Sequence, residues 1–190
     1  VTNVTKGGQK PANGFVSEGI ATSTGESFRT FAGDYGVPVK ADVEKAKALL
    51  AEAGYPDGAG FPELELLYNT NEGHKAIAEA VQEMWKQNLG INVTLRNEEW
   101  KVFQESRKNG NYTVARHGWI GDYADPMTFL EMWTTDAGTN DAKYSNPEYD
   151  KLINDSKFAS GAERDTILKD AEALIAKDLP VMPIYYYTNP

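Results

Sequence analysis

The fold is decided by the stretch from Leu64 to Trp119, which reads LELLYNTNEGHKAIAEAVQEMWKQNLGINVTLRNEEWKVFQESRKNGNYTVARHGW. Short apolar runs typical of strands are separated in it by two segments whose apolar residues recur at helical spacing. The predicted elements are a strand over 64–68, a helix over 72–88, a strand over 91–96, a helix over 99–108 and a strand over 112–119. Strands that alternate with helices predict an α/β fold.

Outside this stretch the chain is predicted to begin irregularly and to end in a strand. Residues 1–40 are rich in Gly, Pro, Ser and Thr and are expected to form an irregular lead-in. A helix is expected over 42–53. The run 181–187 is apolar on both faces, which is typical of a central strand. Residues 1–190 are therefore expected to form a single domain with a mixed central sheet flanked by helices.

Several helices are predicted from residues that stabilise a helix start. A side-chain oxygen at the N-cap position accepts a hydrogen bond from an otherwise unpaired main-chain N–H, and proline is tolerated in the first turn. The candidates are Asp42, Asn71, Asp125 before Pro126, Asn146 before Pro147, and Ser160, which forms a capping-box pattern with Glu163. The last of these is expected to open a helix that extends to about Lys177.

Composition excludes several classes of function. The chain has 190 residues and a formal net charge of -9, with 19 scattered basic residues, so no nucleic-acid partner is expected. There is no cysteine, which excludes disulfides, thiolate metal sites and cysteine nucleophiles. No apolar stretch reaches the roughly 18 residues of a membrane span. The HExxH, GxSxG, GxxxxGK and GxGxxG motifs are also absent, so neither a metal nor another cofactor is predicted.

Paired carboxylates leave an enzymatic alternative open. Asp122 with Asp125, or Glu98 with Glu99, could in principle serve a hydrolase that uses two carboxylates. The simpler interpretation makes Asp125 a helix cap and places Glu98 and Glu99 in solvent at a strand-to-helix junction. A chain with 28 acidic residues is expected to contain such pairs by chance.

The segment VARHGWIGDYADP, residues 114–126, is harder to explain by packing alone. The predicted strand ends at Gly118 and Trp119, and a glycine at a strand end favours the close approach of another backbone. Asp122 follows directly, in the position where α/β folds place ligand contacts. The alternative interpretation makes Trp119 a core aromatic residue and Asp122 a turn residue.

At this segment the sequence resembles the oligopeptide- and dipeptide-binding receptors, solute-binding protein family 5. The resemblance is carried by VARHGWIGDYADPMTFL, VEKAKALLAEAGYPDG, the stretch LELLYNTNEGHKAIAEAVQEMWKQNLGINVTLRNEEWKVFQESRKNGNYTVAR and DLPVMPIYYYTN, together with the opening NVTKGGQKPANGFV. It implies a periplasmic-binding-protein-like class II fold, in which two lobes close on a ligand. The chain resembles the lobe that is continuous in sequence, here residues 1–190, and it is closer to the oligopeptide branch than to the nickel or haem branches.

The resemblance implies roles for residues that match the family pattern. Asp122 corresponds to the aspartate that pairs with the α-ammonium of the peptide. Gly118 and Trp119 correspond to the strand end whose main chain binds the peptide as an added strand. Trp119 is also expected to form the wall of a side-chain pocket.

Basic residues of this chain match positions that meet peptide C-termini of different lengths. These are Arg107, Arg116 and His74; the alternative for them is ordinary surface charge. His117 stands where the family pattern favours a small residue, and it could add a weak pH dependence.

The resemblance also implies partners and a location. These are an oligopeptide ligand, the missing lobe of the same receptor, and the permease subunits of an ABC transporter. An extracytoplasmic location is expected, either in a periplasm or as a lipoprotein on the outer face of the membrane. The 190 residues alone are expected to be monomeric and to bind peptide weakly. A metal chelate, an opine or a sugar is the alternative ligand for a receptor of this family.

Overall fold

The computed structural model describes residue 1 and residues 3–188. In chain order the elements are β1 (Lys10–Pro11), α1 (Phe28–Ala32), α2 (Val43–Glu52), β2 (Leu64–Asn69), α3 (Glu72–Leu89), β3 (Val93–Glu98), α4 (Trp100–Lys108), β4 (Val114–Ala115), α5 (Met127–Leu130), α6 (Pro147–Ser156), α7 (Gly161–Asp178) and β5 (Tyr185–Tyr186). Short 3₁₀ helices lie at Pro56–Gly58 and Glu131–Trp133.

The described residues form two compact units, whereas the sequence predicts a single domain. We call residues 3–8 and 40–118 the sheet unit, and residue 1 with residues 9–39 and 119–188 the helical unit. That the whole chain is one lobe of a larger receptor stays a prediction.

The sheet unit is a parallel sheet with helices, as the sequence predicts. β2 lies between β3 and β4, with Leu64 opposite Val93 and Leu66 opposite Val114. Strands that are parallel and adjacent need helical crossovers, and α3 and α4 supply them. The core of this unit consists of Leu66, Tyr68, Ala78, Ile91 and Val93.

Helix α3 is set by its two end residues. The Asn71 side chain accepts a hydrogen bond from the His74 N–H at 3.1 Å, as the N-cap pattern predicts. The helix ends at Gly90, whose φ of 68° is left-handed. A Cβ at this position would lie 2.2 Å from the carbonyl oxygen of Asp57, so only glycine fits here.

The helical unit is built around α6 and α7. Asn146 caps α6 by accepting hydrogen bonds from the N–H groups of Glu148 and Tyr149 at 2.9 and 3.4 Å, as predicted. β1 and β5 form an antiparallel pair with Lys10 opposite Tyr186. The core is formed by side chains from the lead-in and from the last seventy residues or so: Val16, Ile20, Phe28, Ala32, Met127, Leu130, Met132, Trp133, Tyr149, Ile153, Leu168, Ala171 and Ile175.

A fully buried carboxylate fastens the lead-in to this core. Glu172 is 0% exposed and accepts hydrogen bonds from the N–H groups of Phe15 and Val16 at 2.7 and 2.8 Å. It also accepts from both terminal nitrogens of Arg29, at 2.6 and 2.8 Å, and from the Tyr35 hydroxyl at 2.8 Å. Residues 9–39 contain little regular structure, as predicted, but they are an integral part of the core.

Some predicted elements differ from the observed ones. Of the final strand predicted over 181–187, the structure assigns Tyr185–Tyr186, and within the described residues this strand pairs with β1 alone, so it is not central. The strand predicted over 112–119 is assigned only at Val114–Ala115, although the Arg116 N–H still donates to the Leu67 carbonyl at 2.8 Å. Parallel and antiparallel strands lie in separate small sheets rather than in one mixed sheet. The α/β class itself is confirmed.

One capping prediction is wrong in detail. α7 begins where predicted, but the Ser160 side chain makes no capping hydrogen bond. Ser160 is nevertheless in an extended conformation at the N-cap position, with φ of -144°. Packing of the helix, through buried Leu168, Ala171 and Ile175, is enough to fix its position without that bond.

Candidate functional site

The predicted site residues fall in both units. Trp119 and Asp122 belong to the helical unit. The sheet unit holds His74, Arg107, Arg116, His117 and Gly118. The chain passes from one unit to the other between Gly118 and Trp119.

Asp122 presents an unpaired carboxylate in the helical unit. Its main-chain N–H donates to the Thr128 hydroxyl at 3.0 Å, which fixes the backbone of the loop. The residue is exposed, and its carboxylate has no hydrogen bond or ion pair with the described part of the chain. An exposed carboxylate held on a fixed backbone suits a cationic ligand group.

The main chain just before Asp122 is open. Within the described ranges, Trp119, Ile120 and Gly121 form no main-chain hydrogen bond. A Cβ on Gly121 would lie 2.9 Å from Cγ2 of Thr128 and 3.0 Å from Cζ of Phe129, so the chain runs close to α5 here. Unpaired main-chain N–H and C=O groups are the requirement for adding a strand from another chain.

A cavity adjoins these residues. It has a volume of about 350 Å³, and Trp119 and Asp122 line it. Buried Met132 and Ile153 contribute apolar surface, while Lys157 and Glu131 are exposed at it. The indole of Trp119 packs partly against the core of the unit, as expected for a core aromatic residue, and it also lines the cavity.

In the sheet unit the four predicted basic residues lie close together. His74 is in the first turn of α3, Arg107 in the last turn of α4, and Arg116 and His117 directly follow β4. His74 interacts electrostatically with Arg116, and His117 with both Arg107 and Arg116. The sequence places these residues far apart along the chain, and the parallel sheet brings them together.

Both histidines of this group are neutral near pH 7. Burial lowers the pKa of His74, and Arg116 lowers it further, against a hydrogen bond with the Asn69 main chain that raises it. Burial and then Arg107 and Arg116 lower the pKa of His117 to about 4. The positive charge of the group therefore comes from the two arginines, and an anion bound there would be met by guanidinium donors.

Asp125, one of the paired carboxylates, is bound by a distant arginine and by the main chain. Asp125 accepts two hydrogen bonds from Arg164, both at 2.8 Å, and one from the Met127 N–H at 2.9 Å. Burial alone would raise the pKa of Asp125, but Arg164 and the Met127 N–H lower it overall. The N-cap position of α5 is Pro126 rather than Asp125 as predicted, although the Asp125 carboxylate still binds the first N–H of that helix. No sequence signal indicated Arg164, because it lies on α7, far along the chain.

The expectation for Glu98 is wrong. Glu99 is exposed, but the Glu98 side chain is only 15% exposed and lies 3.5 Å from Nε of Arg96. The end of β3 buries it. Among the residues that the structure describes, no group of His, Asp or Glu could hold a metal ion, and no helix is both long and apolar enough to cross a membrane.

The chain resembles known proteins along most of its length. Residues 1–141 match the family model described as bacterial extracellular solute-binding proteins, family 5, middle region. The chain is 45% identical over 147 residues to the periplasmic oligopeptide-binding protein OppA of Salmonella typhimurium. This match covers 77% of this chain and 27% of the relative. It is 38% identical over 191 residues to the oligopeptide-binding protein OppA of Bacillus subtilis, which covers 100% of this chain and 34% of the relative.

A solved structure shares the fold. The crystal structure of Haemophilus influenzae OppA in complex with RPPGFSPFR matches with a TM-score of 0.84 and 38% identity. The match covers 98% of this chain and 36% of that one. The chain therefore spans about a third or less of the length of these relatives.

Proposed function

This chain belongs to the bacterial extracellular solute-binding proteins of family 5, and from that premise we propose that it is part of a peptide receptor. The receptor binds oligopeptides outside the cytoplasm and delivers them to an ABC transporter. Two curated relatives with oligopeptide-binding names support this proposal, and so does a neighbouring structure in complex with a peptide. The receptor binds its peptide without transforming it chemically.

The observation that carries the proposal is the unpaired carboxylate of Asp122 next to open main chain. The α-ammonium of a peptide is a cation attached directly to a main chain, so it fits both features at once. Asp122 binds the ammonium, and the extended segment of Trp119, Ile120 and Gly121 binds the peptide main chain as an added strand. Main-chain bonding gives affinity without dependence on side chains, which suits a receptor for many peptides.

The basic group of the sheet unit binds the C-terminal carboxylate of a peptide. Arg107 and Arg116 offer charged donors to that carboxylate, and neutral His74 and His117 can contribute hydrogen bonds. A group that extends over several elements can meet C-termini of peptides of different lengths.

Further partners are part of the proposal. The peptide is enclosed between this chain and a second lobe of the same receptor, and the closed receptor docks on the permease subunits. The receptor is located in a periplasm or anchored by a lipid to the outer face of the membrane, and the 190-residue chain by itself is a monomer. The 190 residues alone should bind peptide weakly, because they enclose only part of it.

The test of Asp122 uses peptides that differ only at the N-terminus. Calorimetry on the complete receptor should show that N-acetylation weakens binding about tenfold to a hundredfold, since a charge-assisted hydrogen bond contributes roughly 1.5–3 kcal/mol. Asp122→Asn should lose a similar factor for free-amine peptides and little for acetylated ones. Equal affinity for both peptide forms in the unaltered receptor would exclude the role given to Asp122.

A matched control and an enzymatic check complete this experiment. Asp170 is another exposed carboxylate of the helical unit, on α7, so Asp170→Asn should leave affinity unchanged. The peptide recovered after incubation is analysed by mass spectrometry. Intact peptide agrees with a receptor, whereas cleavage products would favour a hydrolase.

A further inference from the structure

Helix α4 carries a ladder of two aromatic rings and a guanidinium in the sheet unit. The rings of Trp100 and Phe103 are stacked, with centroids 5.8 Å apart and an interplanar angle of 29°. The guanidinium carbon of Arg107 lies 4.9 Å from the centroid of the Phe103 ring. Residues at this spacing share one face of a helix, so the three side chains form one continuous stack.

The middle member of the ladder is rigid. Phe103 is 0% exposed and belongs to the interior, whereas Trp100 is 47% exposed. A guanidinium that lies against a fixed aromatic face has few alternative rotamers. The ladder therefore orients Arg107 before any ligand arrives.

We propose that Phe103, supported by Trp100, is a positioning residue that holds Arg107 ready to bind the C-terminal carboxylate of the peptide. This inference rests on the proposed function, because it assumes that the basic group receives that carboxylate. Without the ring, Arg107 would lose one of the contacts that order it, and the side-chain freedom then lost on binding the peptide would weaken binding. Phe103 itself does not touch the ligand, and its effect acts through Arg107.

The test compares a free-acid peptide with its C-terminally amidated form in the complete receptor. The unaltered receptor should bind the free acid about tenfold to a hundredfold more tightly, as expected for a charge-assisted hydrogen bond. Phe103→Leu should reduce that ratio about twofold to tenfold, because it removes the cation–π contact and keeps an apolar side chain. Phe103→Tyr should retain the ratio.

Two further variants separate positioning from general damage. Trp100→Leu alters the half-exposed member of the ladder and should reduce the ratio about twofold without unfolding the protein. Phe31→Leu is the matched control. It removes a similar contact in the helical unit, where Nζ of Lys169 lies 5.1 Å from the centroid of the Phe31 ring. The ratio of free-acid to amide affinity should not change in this variant.

The outcomes distinguish the two proposals. If the unaltered receptor binds no peptide, or binds free acid and amide equally, the carboxylate-binding part of the proposed function fails. Suppose that the unaltered receptor prefers the free acid to the amide. If Phe103→Leu and Trp100→Leu then show the same affinity ratio as the unaltered receptor, the positioning role is overturned. A purely structural role would lower affinity for both peptide forms by the same factor, and that result would also overturn it.

Discussion

Replacing Glu172 by glutamine is expected to lower the free energy of unfolding by about 3–5 kcal/mol. The change keeps the size of the side chain but removes the charge that faces Arg29, which is only 8% exposed. Glutamine also offers an N–H₂ group where the carboxylate accepted bonds from the main chain of Phe15 and Val16 and from Tyr35. A buried cation and several donors would then lack adequate acceptors.

The magnitude follows from the burial of the pair. Burial lowers the pKa of Arg29, and the hydrogen bonds and charge of Glu172 reverse this and raise it overall, so the guanidinium depends on this one carboxylate. A chain of this size loses about 2–4 °C in melting temperature per kcal/mol. The expected loss in Glu172→Gln is therefore about 6–20 °C.

Thermal and urea unfolding of the 190-residue chain measure this effect. Hydrogen exchange read by mass spectrometry should show the loss of protection concentrated in α1 and α7, since Glu172 and Arg29 join these helices. The control is Lys151→Gln, which breaks an exposed ion pair with Asp155 and should change stability by less than about 0.5 kcal/mol.

A small loss of stability in Glu172→Gln would contradict the role given to the buried network. If Glu172→Gln costs no more than Lys151→Gln, the buried network does not hold the lead-in to the core. If hydrogen exchange increases equally throughout the chain, the network does not stabilise the helical unit locally.

Three other residues give predictions that the same instruments can check. Burial and two neighbouring arginines hold the folded pKa of His117 at about 4, so from pH 7 to pH 5 the unfolded chain takes up a proton that the folded chain does not. Stability should therefore fall by about 2 kcal/mol through this residue over that range, and His117→Asn should lose correspondingly less; identical pH profiles for both would contradict this. Gly121→Ala should cost about 1–3 kcal/mol in urea unfolding, because the new methyl group meets Phe129, whereas Gly138→Ala, with nothing within 4 Å, should be neutral. Asn71→Ala should cost about 1 kcal/mol through the lost cap of α3, and Asn71→Ser should restore most of it, unless the cap contributes nothing.

The alternation of strands and helices between Leu64 and Trp119 could be predicted because each element there has its own periodic pattern. Asn71 and Asn146 were identified as caps for the same reason, since capping depends on residues within one turn. The prediction of a central strand over 181–187 was wrong, because an apolar run does not reveal which strand it will pair with. In the part of the chain that the structure describes, β5 pairs only with β1, a two-residue strand within a lead-in that has no strand pattern.

The site was predictable in its residue types but not in its arrangement. Asp122 and the open segment before it could be identified from local sequence and the family resemblance. The depressed pKa of His117 could not, because it depends on burial and on Arg107, which lies on another element. The ladder on α4 shows helical spacing in the sequence, but the burial of Phe103 that makes it rigid is a tertiary property.

By itself, the sequence determined the α/β class, most helix boundaries and the resemblance to a peptide-receptor family. These depend on interactions between residues that are near in the chain, and on motifs that are themselves local. Only the tertiary structure decided the two units, the buried bonds of Glu172 to Arg29 and Tyr35, and the ion pair of Asp125 with Arg164. Those contacts join distant segments, and burial gives them their strength, because a charge removed from water must find its partner wherever the fold places one.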